Sequence, residues 1–192
     1  MTTPLRVFLA ISLPAPVRGA IAAATAPMRG AARDLAWVAE GHLHLTLKFL
    51  GEQPASAVDA LRDALAPPLA RIVPMALEVG GLGAFPNLRA PRVVWMGIAA
   101  DARLELLHHD IELIGAALGY ELEGRPFRPH ITLARARTPL AEGPARALRS
   151  AAKMVQHRSR APVNSVEIMA SRLGPGGAHY TTLASLALAG GS

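Results

Sequence analysis

The clearest periodic signal in the chain runs from Gly41 to Leu50, where Leu43, Leu45, Leu47 and Phe49 alternate with His42, His44, Thr46 and Lys48. Strict alternation is the period of a strand with one buried face, so the apolar set turns to a core and the polar set away from it. Runs of strand-forming residues at Arg6 to Leu13, Met75 to Leu82, Arg92 to Ile98, His130 to Arg135, Val163 to Ala170 and Tyr180 to Leu188 predict further strands. The second and third of these, joined by a long turn holding Gly83, Pro86, Asn87 and Pro91, read as a hairpin. Between the strands the period lengthens. Val17, Ile21, Ala24 and Met28 predict a helix from Ala15 that stops at Gly30, and Val58, Leu61 and Leu65 a helix opened by Pro54 and stopped by Pro67 and Pro68. Asp101 caps a third helix reaching Leu118, with Leu104, Leu107, Ile111, Ile114 and Leu118 as its buried stripe and Gly119 as its end. A fourth spans Pro139 to Ala152, and Gly174 to Gly177 forms a glycine-rich turn before the last strand.

Helices interleaved with antiparallel-looking strands imply an α+β fold: two similar lobes, each a small, mostly antiparallel sheet backed by helices, with the active-site cleft between them. A chain of 192 residues suits one such bilobal domain over 1–192 and is too short for two large ones. Hydrophobic residues make up 51% but fall in short runs, none near the roughly 20 apolar residues that span a bilayer, so no membrane role is expected. Val7 to Leu13 has one charge before it and no small-residue cleavage site after it, which argues against export. The absence of cysteine excludes disulfides, thiolate metal sites and a cysteine nucleophile, and fits a cytoplasmic protein. The net charge of +6 is carried almost wholly by arginine, since Lys48 and Lys153 are the only lysines. The guanidinium fork donates two hydrogen bonds to two oxygens at once, so phosphate-bearing partners, nucleotides and RNA, move up the list.

His44-Leu45-Thr46-Leu47 and His130-Ile131-Thr132-Leu133 are one pattern written twice, once in each half of the chain. Residues two apart on a strand share a face, so each histidine has a threonine hydroxyl beside it while the intervening Leu or Ile anchors below. Opening a cyclic phosphodiester with water requires a base for the attacking water and an acid for the departing oxygen, on opposite sides of phosphorus. Two imidazoles supply both roles near neutral pH without a metal or other cofactor. Thr46, Thr132 and a nearby guanidinium, from Arg135 or Arg128, would stabilise charge on the non-bridging oxygens. His42 and His44 could offer two metal ligands, but no third has suitable spacing. His108 and His109 read as solvated helix residues, His157 with Arg158 and Arg160 as a basic surface stretch that could touch an RNA backbone, and Trp37 and Trp95 as core. His179, in the glycine-rich turn, could approach a ligand. Lys48 shares the face of His44 and Thr46, pointing to phosphate or to solvent, whereas Phe49 faces the other way.

The chain resembles the two-histidine phosphoesterases, specifically the bacterial RNA 2′,3′-cyclic phosphodiesterase or 2′-5′ RNA ligase family. The resemblance rests on Arg6 to Ile11 followed by Pro14, His42 to Glu52, Arg92 to Gly97, Phe127 to Arg135, and Ser171 to Tyr180, nearly the whole chain. It implies that His44 is the proton donor to the leaving 3′ oxygen, His130 the proton acceptor that activates water, and a 2′-phosphomonoester the product. It also implies reverse joining through a 2′-5′ linkage, and it sets Phe49 near the bound base as a stacking residue. The expected partners are RNA or oligonucleotides ending in a 2′,3′-cyclic phosphate, with no obligate protein partner and a monomeric state. Two alternatives share these residues: a cyclic phosphodiesterase acting on a small nucleotide, and a non-catalytic binder of RNA ends.

Overall fold

The computed structural model describes residues 4–174 and 177–190. The element order is β1 (Leu5–Ser12), α1 (Ala15–Ala31), β2 (Ala36–Trp37), a 3-10 turn (Glu40–His42), β3 (His44–Gln53), α2 (Ser56–Leu69), β4 (Met75–Phe85), β5 (Val93–Ile98), α3 (Ala102–Ala117), β6 (His130–Arg135), α4 (Glu142–Lys153), β7 (Arg158–Val163), β8 (Ser165–Gly174) and β9 (Gly177–Ala187). One antiparallel sheet runs β7-β4-β5-β6-β3-β1-β8-β9, with β2 added to β6. Its two halves mirror each other about the β3–β6 junction: each begins with a strand headed by histidine and continues outward through three more strands. The α+β expectation of two related lobes describes this arrangement.

Helices α2 and α3 back the β3-β1-β8-β9 half, and α1 packs with α4 behind the other. All four lie on one side of the sheet, where Val7, Leu9, Ile11, Leu45, Leu47, Val94, Met96, Ile131 and Leu133 form the buried core with Ile21, Met28, Leu61, Leu65, Leu104, Leu107 and Ile111. The opposite face has its own small apolar cluster of Phe8, Ala10 and Met169 with Tyr180 against it. Asp101 caps α3 through the backbone N–H groups of Arg103 and Leu104. The Arg103 side-chain hydrogen bond, with these backbone donors, holds the Asp101 carboxyl down to about 2. Gly119, at φ +88°, ends the helix in a conformation that L side chains rarely adopt.

Several sequence expectations need correction. Helix α2 runs through Pro67 and Pro68 to Leu69, and α1 through Gly30 to Ala31. Prolines in a final turn cost only the bonds of that turn, and the buried Leu69 holds the turn down against the sheet. Leu118 is 39% exposed, because α3 ends before the fifth position of its stripe reaches the core. Arg158 and Arg160 are exposed, as expected of a basic surface stretch, but they belong to edge strand β7, paired with β4, which the strand pattern does not predict. Its arginines hid a strand because alternation there is Arg158, Arg160 outward against Ser159, Ala161 inward, with small residues on the buried side. The glycine-rich turn expected at Gly174 to Gly177 includes positions 175 and 176, which lie outside the described residues.

Candidate active site

Strands β3 and β6 meet at the rung Leu45–Ile131. Continuing that antiparallel register one residue each way sets His44 across from Thr132 and Thr46 across from His130, all four on the face opposite the buried Leu45 and Ile131. The two histidines are therefore diagonal neighbours, with backbones about 7–8 Å apart. That spacing suits a phosphate flanked by two imidazoles, each with a hydroxyl beside it. Seen alone, either tetrapeptide gives no such arrangement; the pairing of two strands from opposite halves of the chain creates it.

Both rings are oriented by the same device. Nδ1 of His44 donates to the carbonyl oxygen of His42 at 2.7 Å, and Nδ1 of His130 donates to that of Arg128 at 2.7 Å. A carbonyl can only accept, so Nδ1 carries the hydrogen and Nε2 is the atom left to exchange protons. His42 itself sits in the 3-10 turn, where its carbonyl orients His44 and its ring packs on Tyr180 at 5.2 Å. Aromatic rings wall both imidazoles. His44 lies 5.2 Å from Phe8 and 5.1 Å from Tyr180, while His130 lies 5.2 Å from Phe85 and 6.3 Å from Trp95. Burial lowers the pKa of His44 below the usual imidazole value, opposed by the His42 carbonyl and reinforced by Arg135 and His42. Burial likewise lowers that of His130, opposed by the Arg128 carbonyl and reinforced by Arg135. That Arg135 acts on both rings places its guanidinium within electrostatic reach of each.

The position of Arg135 follows from a backbone irregularity. In β6, Val94 pairs with Ala134 but Trp95 with Thr132, leaving Leu133 as an extra residue. In β3, Leu9 pairs with Lys48 but Ala10 with Thr46, leaving Leu47 as the extra one. The bulge thus falls on the final Leu of each H-x-T-L repeat, two successive residues turn to the core, and the alternation flips. The first six residues of both strands share one burial pattern: half-buried His, buried, half-buried Thr, buried, buried, exposed. The sixth residue is Phe49 in β3 and Arg135 in β6. Strict alternation sends Phe49 to the core; the bulge brings it to the cleft rim, 60% exposed and 5.9 Å from Phe8.

The fifth residue is the other correction. Lys48 points neither to phosphate nor to solvent but is buried, its Nζ 2.7 Å from Glu112 Oε2 on α3 and 2.7 Å from the Glu121 carbonyl. Its stem crosses α3 at Gly115, where a Cβ would stand 2.9 Å from Lys48 Cε. Glu112 Oε2 also accepts from the Glu123 backbone N–H at 3.0 Å, so the pair ties down the loop from Gly119 to Pro129 that delivers β6. This network carried no motif; only the α3 stripe, in which Glu112 follows Ile111, offered a signal. The loop forms one wall of a cleft of 860 Å³ lined by Thr46, Phe49, Arg128, His130, Thr132 and Arg135, with Arg125 and Phe127 on the loop itself. His108, expected to be solvated, lines this cleft with its ring stacked on Phe127 at 3.9 Å. Trp95, expected in the core, is half-buried on the cleft face, its indole lying over Gly83 so closely that a Cβ there would overlap the ring. Trp37 is half-buried and donates to the Ala32 carbonyl at 2.9 Å. His179 is exposed on β9. Among the described residues no three His, Asp or Glu side chains gather as a metal-holding group.

The chain as a whole is similar to known proteins. The 2′-5′ RNA ligase superfamily model matches residues 14–175, and the chain belongs to that family. An RNA 2′,3′-cyclic phosphodiesterase of Thermus thermophilus is 35% identical over 97% of this chain and 91% of its own length. One from Geobacillus stearothermophilus is 36% identical over 67% of this chain, a match that spans only 41% of that relative. The crystal structure of E. coli LigT complexed with 3′-AMP superposes with a TM-score of 0.73 and 31% identity, covering 96% of this chain and 98% of the other.

Proposed function

We propose that this protein hydrolyses 2′,3′-cyclic phosphates at RNA or nucleotide ends to 2′-phosphomonoesters by two-histidine acid–base catalysis, without a metal. The observation that carries the reading is the matched pair of Nδ1-to-carbonyl bonds on His44 and His130, since it leaves both with a free Nε2 on one face of one sheet. The names of the Thermus and Geobacillus relatives support the substrate class.

In the reaction, the cyclic phosphate lies across β3 and β6 with Thr46 and Thr132 donating to its non-bridging oxygens. His130 Nε2 takes the proton of water as its oxygen attacks phosphorus, and His44 Nε2 gives a proton to O3′ as the P–O3′ bond breaks. Burial biases both rings toward the neutral form, so the free site holds a ready base. Arrival of the phosphate anion opposes that bias, coupling proton uptake by the acid to substrate binding. Arg135 stabilises the charge that builds on the phosphoryl oxygens, and Phe49 stacks on the base. The same two groups, run backward with a 5′-hydroxyl in place of water, join ends through a 2′-5′ linkage. The protein acts as a cytoplasmic monomer on this reading; among the described residues no helix is long and apolar enough to cross a membrane.

The test is ring opening of 2′,3′-cyclic AMP by purified protein in excess EDTA. The expected product is 2′-AMP, with His44→Ala or His130→Ala each lowering the rate by about 10²–10⁴. Turnover that survives the double replacement, or a 3′-phosphate product, overturns the assignment.

A further inference from the structure

Beside His130 the structure has room that hydrolysis does not use. A second recess of 380 Å³ opens behind the ring, walled by Phe85, Trp95, Phe127, Arg128 and Pro129, and shares Phe85, Phe127, Arg128 and His130 with the main cleft. A single water fills only a small fraction of such a space, so a water nucleophile leaves most of it unoccupied. The recess presents the aromatic side chains of Phe85, Trp95 and Phe127 to its contents. The two histidines differ here: His130 lines both this recess and the main cleft, whereas His44, packed against Phe8 and Tyr180, lines neither.

The in-line geometry decides which group this room serves. If His44 attends O3′, the atom entering or leaving on the opposite side of phosphorus stands at His130. Whatever is attached to that atom must extend past His130. In hydrolysis the attachment is a hydrogen; in 2′-5′ joining, or its reversal, it is the nucleoside that carries the 5′-hydroxyl.

We infer that the recess behind His130 is a binding subsite for the nucleoside bearing the 5′-oxygen, its base held against Trp95 and Phe85 and Arg128 at the mouth between the two spaces. The inference rests on the reading of His44 as acid and His130 as base. In the joining direction the 5′-oxygen bonds to phosphorus as P–O3′ breaks; its proton passes to His130 Nε2, and O3′ takes the proton of His44 Nε2. The reverse cleaves a 2′-5′ linkage to a 2′,3′-cyclic phosphate and a free 5′-hydroxyl, with no other reactant. The aromatic walls make the subsite tolerant of base identity, because every base offers a π face.

The experiment plugs the recess at Ala100, an exposed residue on its wall outside the catalytic strands. Ala100→Phe is compared with the parent on two substrates, 2′,3′-cyclic AMP and the 2′-5′-linked dinucleotide ApA. The subsite predicts that ApA cleavage falls by at least about tenfold while ring opening stays within about twofold. A second arm needs no turnover. The chain has two tryptophans, so Trp37→Phe leaves Trp95 as sole reporter, and titrated adenosine should quench it saturably unless Ala100→Phe is also present. Equal loss on both substrates, or quenching indifferent to the plug, overturns the subsite. A parent that quenches normally and loses quenching on plugging, yet opens no cyclic phosphate, supports the subsite and sinks the reaction on which its role was built.

Discussion

Replacing Lys48 with methionine should destabilise the protein more than any change on the cleft surface. The ammonium and the Glu112 carboxylate meet at 2.7 Å with side chains only 4% and 9% exposed, so neither has bulk water to fall back on. Breaking one partner of such a pair costs about 3–5 kcal/mol, because the other is stranded as a buried charge. The Glu121 carbonyl loses its donor as well, while Glu112 keeps the Glu123 N–H on Oε2 and, on Oε1, only His108 Nε2 at 3.8 Å. For a chain of this length the loss corresponds to a melting temperature lower by roughly 6–20 °C. Removing both charges, Lys48→Met with Glu112→Leu, should recover most of that and leave about 1–3 kcal/mol, the value of the two loop anchors. Urea denaturation of parent, single and double variants, read as a cycle, measures each term. The loop wall carries Arg125, Phe127 and Arg128, so KM for a cyclic nucleotide should rise in both variants. A single variant within about 1 kcal/mol of the parent, or a double variant worse than the single, refutes the assignment of the pair as the loop's anchor.

Other consequences follow from the same geometry. On the proposed mechanism the pH profile of kcat/KM should be bell-shaped, with the pKa values of His44 and His130 in the free protein below the usual imidazole value, because burial first and Arg135 next disfavour the imidazolium. An optimum above neutrality contradicts this. These depressed values also fix a sign for stability: both rings are neutral above the ordinary imidazole pKa, and as pH falls below it the unfolded chain takes up protons first, so stability declines over that window. Replacing both histidines with asparagine should flatten the decline in pH-dependent denaturation. Arg135→Ala should lower kcat/KM by about 10–100-fold, the value of a charge-assisted hydrogen bond, and move the profile toward higher pH; a lowered rate with an unmoved profile would remove Arg135 from electrostatic reach of both rings. Phe49→Ala should weaken nucleotide binding by about 1–3 kcal/mol with little effect on melting, since the ring is 60% exposed.

The sequence carried the chemistry better than its setting. Period and capping located most strands and helices, and the duplicated H-x-T-L identified the two strands that meet. The strand period misassigned Lys48 and Phe49 because a period assumes an unbroken ladder, and the bulges at Leu47 and Leu133 are visible only in the pairing with β1 and β5. Arg135 was picked out from its proximity to the motif, yet strict alternation turns it to the core with Ile131 and Leu133; the bulge is what sets it on the cleft face. Trp95 and His108 were misread for a different reason. Each looked ordinary on its own element, and only the contacts with Gly83, Phe127 and His130, made across elements distant in sequence, give them a place beside the site.

The central claim is most directly tested by a crystal structure of the protein with 2′-AMP bound. Nε2 of His44 and Nε2 of His130 should each lie within hydrogen-bond reach of oxygens on the same phosphorus, from opposite sides, with Thr46 and Thr132 on the remaining oxygens. A phosphate held by one imidazole alone, or seated outside the face that the two strands share, contradicts the account.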